Sequence, residues 1–343
     1  MRVLVGYAGV PEDVSDSGIR PWITTPDGAL AVGEPEIAAW WFPSNDHPAD
    51  KATFDIDLTV PRGLQAISNG RLLGVRRTGD RATWRWTSGS PMATYLAFAA
   101  FGRYDVVRGT TGSGRPFLHA FAKGLGPRVD RAARASIRRT GEVTDFLSRT
   151  WGRYPYRQVG GVVPSSGFGF ALENQTRPVY SPGFFSAGRN TSVVVHEMAH
   201  QWFGNAVTVR RWKNIWLTEG LATYSEWLWD QDQGFETANQ HFNRFYNSFG
   251  PRSPFWDLPI GDPGPRRLFA GAVYDRGAMT MHALGERVGH RTLLRICRQW
   301  VHRNRDGVGS TGEFVTLAER ISGRRLKGLF RAWLFSGEKP PRP

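Results

Sequence analysis

The sequence has very little cysteine and no long apolar run. Its single cysteine, Cys297, excludes an intramolecular disulfide, and its helical apolar surroundings (TLLRICRQWV) favour a buried core thiol. No stretch of about eighteen apolar residues is present, so no transmembrane helix is expected. The opening segment MRVLVGYAGV lacks the charged and apolar regions of a signal peptide. As written, the sequence predicts a soluble, cytoplasmic protein.

Lysine is also scarce. Of the 44 basic residues only five are lysines and the other 39 are arginines, and the formal net charge is +14. The arginines are scattered along the chain rather than grouped with aromatic residues, which argues against a nucleic-acid partner. A non-specific attraction to acidic surfaces is what this charge predicts. With 343 residues, 40% of them hydrophobic, the chain is long enough for two globular domains.

Two kinds of pattern divide the chain. Residues 1–113 contain short segments of alternating polarity separated by turns, among them RVLVGYAG, PWITT, ATFDIDLTVP and RATWRWTSG. Ser68-Asn69-Gly70 and Thr78-Gly79-Asp80 have the composition of hairpin turns. These features predict an antiparallel β domain over 1–113, followed by a second domain over 114–343.

The second domain is predicted to be mostly helical, which makes the fold class α+β. Apolar residues recur at helical spacing over one long stretch, Pro127–Trp151, and short strands flank a loop that contains FGFALEN. A capping-box signature at Ser310 and Glu313 marks the start of one later helix. Further helices are predicted at Phe235–Phe249, Gly271–Val288, Arg291–Arg303, Thr311–Ile321 and Leu326–Leu334.

One helical segment, VVVHEMAHQWFGN, contains the H-E-x-x-H pattern. Positions four apart lie on one face of a helix, so His196 and His200 can direct both imidazoles at one point. Zinc accepts such nitrogens, and a catalytic zinc site has three protein ligands and a water. Glu219, separated from His200 by eighteen residues and placed in a second helical segment, is the expected third ligand. Glu197 is then free to take a proton from the zinc-activated water. The pattern predicts one bound Zn²⁺.

These residues resemble the aminopeptidase N family of zinc metallopeptidases, which are gluzincins and include leukotriene hydrolase relatives. HEMAHQWFGNAVT with WLTEGLATYSE is similar to the family's zinc signature, and VYDRGAM to its catalytic-tyrosine segment. ALEN (Ala171–Asn174) resembles the end of its G-A-M-E-N motif, and WFPSNDHPADKATFD and LQAISNG resemble parts of its N-terminal domain. The resemblance implies a saddle-like β domain followed by a thermolysin-like catalytic domain.

The sequence departs from the family pattern at three places. Phe170 stands for the glycine of G-A-M-E-N, and Leu172 stands for its methionine. The β domain is expected to be truncated, because Met1 falls where that domain is already under way in the family. We expect no counterpart in this sequence of the large C-terminal helical domain of bigger relatives.

The resemblance also assigns substrate-binding residues. It implies that Glu173 holds the free α-ammonium of a peptide and that Asn174, in the same motif, contributes to the substrate site. A second amine-binding position in the β domain falls on Glu34, with Glu36 as a close competitor. Taken alone, Glu173 is an ordinary surface carboxylate.

Two residues have a structural and a functional interpretation each. Tyr274, placed just before a helix, is either a half-buried tyrosine or, by resemblance, the donor to the oxyanion of the tetrahedral intermediate. Glu226 lies two turns after Glu219 and is either solvated or the carboxylate that orients a zinc-bound imidazole.

The expected function is that of a zinc aminopeptidase, which removes the N-terminal residue from peptides with a free N-terminus. Three alternatives stay open at this point. A thermolysin-type endopeptidase shares the zinc ligands but has no use for an amine-binding loop. A family member with an incomplete β domain would have weak activity or none. A basic binding module would need neither the ligands nor Tyr274.

Overall fold

The computed structural model describes residues 2–11 and 20–343. These residues form two compact units, each assembled from two stretches of the chain. The first unit comprises Met1–Gly141 and Tyr156–Thr191, and the second comprises Glu142–Pro155 and Ser192–Pro343. The boundary at 113/114 drawn from sequence patterns stays a prediction. Among the described residues, none of the helices combines the length and the apolar character needed to span a bilayer.

The first unit contains three sheets. A four-stranded sheet has the order β1-β2-β7-β4 and a three-stranded sheet the order β3-β6-β5, and both are antiparallel throughout. A five-stranded mixed sheet has the order β11-β12-β10-β9-β8. The strands are β1 (Trp22–Thr25), β2 (Gly28–Ala31), β3 (Ala52–Pro61), β4 (Gln65–Ser68), β5 (Arg71–Thr78), β6 (Arg81–Met92), β7 (Ala99–Gly102), β8 (Tyr104–Thr110), β9 (Pro116–Ala122), β10 (Val159–Val163), β11 (Ala171–Leu172) and β12 (Val179–Tyr180).

One apolar core joins the three sheets of this unit. Its buried side chains come from all three, including Ile67 of β4, Trp86 of β6 and Val162 of β10. The indole of Trp86 donates to the carbonyl of Ala66 at 3.0 Å, so even the polar atom of this large side chain is satisfied inside the core. The antiparallel β prediction for the N-terminal part is confirmed.

The two predicted hairpin turns have different outcomes. Thr78-Gly79-Asp80 joins β5 to β6 in a hairpin, with Thr78 opposite Arg81, as predicted. Ser68-Asn69-Gly70 does not form a hairpin, because β4 pairs with β7 and β5 pairs with β6. This turn carries the chain from one sheet to the other. Turn composition identifies a reversal of the chain, but it does not say which strands will pair.

The segment RVLVGYAG was predicted to be a strand, and this is wrong. Residues 2–9 have no regular structure and are exposed, with Leu4 at 95% of its accessible surface. A strand needs hydrogen bonds from a neighbour, and no strand of the described chain pairs with this segment. Alternation of polarity alone does not supply that partner.

Helices dominate the second unit. The first α-helix of the described residues, α1 (Pro127–Ile137), belongs to the first unit, and α2 (Thr140–Trp151) follows it. Residues 207–209 and 307–309 add a short parallel pair of strands, β13 (Val207–Val209) and β14 (Gly307–Gly309). The remaining helices are α3 (Ser192–Ala199), α4 (Trp216–Asp232), α5 (Ala238–Ser248), α6 (Gly271–Val288), α7 (His290–Asn304), α8 (Thr311–Ser322) and α9 (Lys327–Phe330), and a π-helical turn follows at Arg331–Phe335.

The long helix predicted over 127–151 is two helices. At the junction the amide of Arg139 bonds to the carbonyl of Ser136, three residues back, and the Thr140 hydroxyl donates to the carbonyl of Ile137. A threonine hydroxyl that donates to a backbone carbonyl competes with the backbone hydrogen bonds of a continuous helix. The capping box at Ser310 and Glu313 is confirmed at the start of α8.

The end of the chain is held by a buried arginine of α6. The guanidinium of Arg276 is inaccessible to solvent and donates to five backbone carbonyls. Burial lowers the pKa of this group to about 10. Two of the acceptors precede α6 in the chain and three follow α9. They are the carbonyls of Trp256, Leu258, Ala332, Trp333 and Ser336.

Candidate metal centre

Helix α3 and the residue after it bring two histidines together. His196 lies inside α3, and His200 follows the last helical residue, Ala199. The helix is shorter than the predicted stretch, yet the amide of His200 still donates to the carbonyl of His196 at 3.2 Å. The helical spacing therefore holds at this point, and the two ring centroids are 4.8 Å apart.

Helix α4 supplies a carboxylate to the same place. Glu219 lies in the first turn of α4 and is 3% exposed. Its Oε2 is 3.3 Å from Nε2 of His196 and 3.4 Å from Nε2 of His200. Two ligands that each lie 2.0–2.1 Å from a zinc ion at a tetrahedral angle are separated by about 3.3 Å. The distances from Glu219 to the two histidine nitrogens therefore fit a tetrahedral zinc ion, and one ligand atom from each of the three residues lies within 4.8 Å of the others.

The far nitrogen of each imidazole is engaged by an acceptor. Nδ1 of His200 donates to the carbonyl of Phe203 at 3.0 Å, and a carbonyl can only accept, so Nδ1 carries the proton. Nδ1 of His196 lies 2.7 Å from Oε1 of Glu226, whose other oxygen accepts from the Ser192 hydroxyl. Both Nε2 atoms are thereby left with lone pairs for a metal. Of the two interpretations of Glu226, its contact with His196 favours the orienting one.

The electrostatics of the cluster favour a cation. Burial by itself would raise the pKa of Glu219, but the charge of His200 and hydrogen bonds with both histidines lower it to about 2. Burial would lower the pKa of His196, yet Glu219, Glu226 and the charge of Glu197 raise it well above its usual value. The same negative field that favours a protonated imidazole favours a bound dication in its place.

The proposed base and the proposed oxyanion donor lie near the ligands. Glu197 follows His196 on α3 and is 5% exposed, and its charge acts on that histidine. Tyr274 lies in the first turn of α6 rather than before a helix. Its ring faces that of His196 with centroids 5.9 Å apart and an interplanar angle of 28°. The second unit thus gathers His196, His200, Glu219, Glu226 and Tyr274.

The first unit holds the residues expected to bind an amine. Glu173 and Asn174 follow β11 and are buried, with Asn174 fully inaccessible. The amide of Asn174 donates to the carbonyl of Leu96 at 3.1 Å. Glu34 is half-buried with one carboxylate oxygen inaccessible, whereas Glu36 is exposed. Burial distinguishes the two glutamates but does not test the role of either one.

Two family models match the chain. The model described as "Peptidase family M1 domain" matches residues 180–333, and the one described as "Peptidase M1 N-terminal domain" matches residues 28–96. The chain belongs to peptidase family M1. The first of these matches includes the three candidate metal ligands and Tyr274.

Several M1 proteins are similar to this chain. It is 34% identical over 330 residues to glutamyl aminopeptidase of Rattus norvegicus, covering 88% of this chain and 33% of that protein. A mutant M1 zinc metallopeptidase from Deinococcus radiodurans, solved with a Tyr-Ser-Ala substrate, has a TM-score of 0.84 and 26% identity, covering 95% and 74% of the two chains. A two-domain M1 zinc metallopeptidase mutant bound to L-arginine has a TM-score of 0.87 and 26% identity, covering 98% and 76%. This M1 chain spans about a third of the length of the curated relatives.

Phe170 and Leu172, the two residues that differ from the G-A-M-E-N pattern, both contribute to the packing under the loop. Leu172 is buried in the apolar core of the first unit, and Phe170 packs against that core. The Phe170 ring also meets Phe168 edge to face, with centroids 4.8 Å apart. Phe170 therefore adds apolar contacts under the loop that carries Glu173, whereas Leu172 exchanges one apolar side chain for another.

Several groups around the candidate site have little or no signal in the sequence. The Ser192 hydroxyl donates to Glu226, and nothing in the sequence pattern indicates this contact. The carbonyl of Phe203 cannot be recognised in a sequence, because every residue has one. Asp275 is half-buried, and this partial burial together with the charge of Glu226 raises its pKa to about 6. Its position beside Tyr274 was the only sequence signal for it.

Proposed function

We propose that this M1 chain is a zinc-dependent aminopeptidase that hydrolyses the first peptide bond of peptides with a free N-terminus. The observation that carries the proposal is the convergence of His196, His200 and Glu219, in which both histidine nitrogens lie at a zinc-compatible distance from the Glu219 carboxylate. The similarity to solved M1 zinc metallopeptidases supports the choice of metal. The curated relatives named as aminopeptidases support the reaction.

Glu197 is the proposed general base and acid. Zinc, when bound, supplies Lewis acidity that makes water nucleophilic at neutral pH and polarises the substrate carbonyl. Glu197 takes a proton from the water as its oxygen forms a bond to the carbonyl carbon. When the bond from carbon to nitrogen breaks, Glu197 returns that proton to the leaving amine. The products are a free amino acid and a peptide shorter by one residue.

Tyr274 is the proposed oxyanion donor. Its hydroxyl donates to the carbonyl oxygen as that atom gains negative charge, and such a contact strengthens in the transition state. One donor of this kind typically contributes about a hundredfold or more to the rate. The stacking on His196 supports this role, because it places the phenol beside a candidate ligand.

Glu173 is the proposed partner of the substrate's α-ammonium, assisted by Asn174 and Glu34. A carboxylate that pairs with the ammonium fixes the register of the peptide, so that the first bond is the one presented for hydrolysis. The observation that L-arginine and Tyr-Ser-Ala are bound by solved relatives supports a site for free amino termini. An endopeptidase of thermolysin type would not require this charge.

The test compares matched substrates. Alanyl- and leucyl-anilides should be cleaved, a chelator should abolish cleavage, and the N-acetyl anilides should be cleaved about 10³-fold less efficiently because acetylation removes the charge that pairs with Glu173. Glu173→Ala should lose most of its activity on the free amine and narrow that gap. Equal cleavage of free and acetylated substrates, or internal cuts in a protein digest without stepwise N-terminal loss, would establish an endopeptidase instead.

A further inference from the structure

The loop that carries Glu173 is unusual because it is polar and buried at the same time. The five residues from Glu173 to Arg177 are each 3% exposed or less. Loops normally run over the surface, because buried polar groups must find hydrogen-bond partners. The partners of this loop therefore show what holds it in place.

Arg177 supplies the strongest attachment. Its guanidinium donates to the carbonyls of Ser68 and Gly70, the second at 3.0 Å. The same group lies over the ring of Trp86, with its central carbon 5.0 Å from the ring centroid. These acceptors flank Asn69 in the turn that leads from β4 to β5. Charged donors make hydrogen bonds that are about twice as strong as neutral ones.

Asn69 makes the second attachment. Its amide nitrogen donates to the carbonyl of Gln175 at 3.0 Å and to the carbonyl of Leu96 at 2.8 Å. Its oxygen accepts from the amide of Phe98 at 3.0 Å. Because Asn174 donates to the carbonyl of Leu96 as well, one carbonyl is shared by the turn and the loop.

The backbone of the loop is strained where it meets the turn. Thr176 has φ of 71°, a left-handed conformation that a β-branched residue rarely adopts. Its hydroxyl accepts from the amide of Gly70 at 2.9 Å. Such strain persists only where the surroundings hold it, and it concentrates at functional sites. Gly70 itself has φ of 70°, and a Cβ there would lie 2.0 Å from the carbonyl oxygen of Thr87.

We propose that Arg177 and Asn69 are positioning residues that set the location of the Glu173 carboxylate by fixing its loop to the turn at residues 68–70. The inference rests on the proposed role of Glu173 in binding the substrate's ammonium. Neither residue contacts the substrate in this proposal. A misplacement of a binding group by about 1 Å is enough to cost about a hundredfold in rate, so loosening the loop weakens recognition of the amine.

The experiment measures selectivity, defined as kcat/KM for leucyl-anilide divided by kcat/KM for N-acetyl-leucyl-anilide. This ratio does not depend on the fraction of active enzyme, so a loss of folded protein leaves it unchanged. In Arg177→Met we expect the ratio to fall at least tenfold, with a raised KM for the free amine and unchanged zinc content. Arg177→Lys, which keeps the charge but loses the forked donor, should lie between wild type and Arg177→Met.

Thr176→Gly provides a second variant in case Arg177→Met does not fold. Glycine accepts the left-handed conformation without strain, and the change removes the bond from Gly70. The ratio should fall about threefold to tenfold.

The matched control is Gln65→Ala. Gln65 lies on β4 and bonds to both backbone groups of Tyr104 at 2.8 and 3.1 Å, but these bonds do not involve the loop. Its ratio should equal that of wild type even if its melting temperature falls.

A double-mutant cycle separates this inference from the proposed function. In a Glu173→Ala background, Arg177→Met should change the ratio less than twofold, because it acts through that carboxylate. A wild-type ratio in zinc-loaded Arg177→Met or Thr176→Gly would overturn the inference, and so would an undiminished effect in the Glu173→Ala background. Failure of the proposed function is a different result, in which wild type itself does not distinguish the two substrates.

Discussion

Gly220 and Gly277 touch where α4 crosses α6. A Cβ atom on Gly220 would lie 2.7 Å from the Cα of Gly277, a distance that real side chains do not tolerate. Glu219 immediately precedes one glycine, and Tyr274 lies three residues before the other. The crossing therefore fixes how closely a proposed zinc ligand and a proposed oxyanion donor approach each other. Each glycine costs about 1 kcal/mol of helix stability relative to alanine, so the close approach is what requires them.

Gly277→Ala should force the two helices apart. We expect zinc to stay bound and kcat/KM to fall at least tenfold, because Tyr274 moves relative to the ligands. Gly271→Ala is the matched control, since Gly271 begins the same helix and no atom lies within 4 Å of its Cβ position. That variant should keep wild-type kinetics. Wild-type kcat in Gly277→Ala would show that the helix separation does not matter for the reaction.

Removal of a ligand should remove the metal. His196→Ala or His200→Ala leaves two protein donors, and both zinc and activity should be lost together. Elemental analysis after gel filtration measures the metal content. One zinc per chain in either variant would contradict the ligand assignment.

Glu197→Gln should separate the base from the ligands. The variant should bind zinc as wild type does and lose about 10²- to 10⁴-fold in kcat, because no group takes the proton from water. Circular dichroism serves as the control for folding. If Glu197→Gln loses its zinc instead, then Glu197 contributes to metal binding.

Glu226→Gln should lower the affinity for zinc without abolishing zinc binding. The amide still occupies the place beside His196 but no longer carries the charge that orients the imidazole, so zinc affinity should fall about 10- to 100-fold. Competition with a chromophoric chelator measures this affinity. Glu286→Gln, on an exposed carboxylate of α6, is the control and should bind zinc as wild type does.

His119 should make the protein acid-sensitive. Burial, together with the charges of Arg177 and Arg138, lowers the pKa of this imidazole to about 3, against about 6.5 in an unfolded chain. Between these values the unfolded state binds the extra proton, so stability falls as pH falls, by up to about 1.4 kcal/mol per pH unit. His119→Gln should show a shallower loss in urea unfolding between pH 6 and pH 4. Parallel pH profiles for the two proteins would contradict the assignment.

Local patterns in the sequence were sufficient to predict most of the helices and the convergence of the three candidate metal ligands. The H-E-x-x-H spacing predicts the histidine pair because helical geometry alone brings His196 and His200 together. Helix α6 likewise has the predicted bounds. Strand pairing was less predictable. The turn at Ser68-Asn69-Gly70 has hairpin composition, yet its strands pair with partners elsewhere in the chain.

The hydrogen bonds that attach the Glu173 loop to the turn at residues 68–70 could not be predicted either, because they too join distant parts of the chain. Arg177 is separated from its acceptors by more than a hundred residues in the chain, and those acceptors are backbone carbonyls. A sequence shows neither fact. Contacts within one helix can therefore be predicted from the sequence. Contacts between a loop and a distant turn become known only from the folded structure.

Arg276 has a consequence for how this part of the sequence can vary. All five of its acceptors are main-chain carbonyls, which every amino acid carries. Substitutions at Ala332 or Ser336 leave these hydrogen bonds intact, because the bonds use only the main chain. Position 276, in contrast, must supply five N–H donors from one planar group. Only arginine has them. In a library that samples every substitution, we expect position 276 to tolerate nothing else and Ser336 to tolerate most residues.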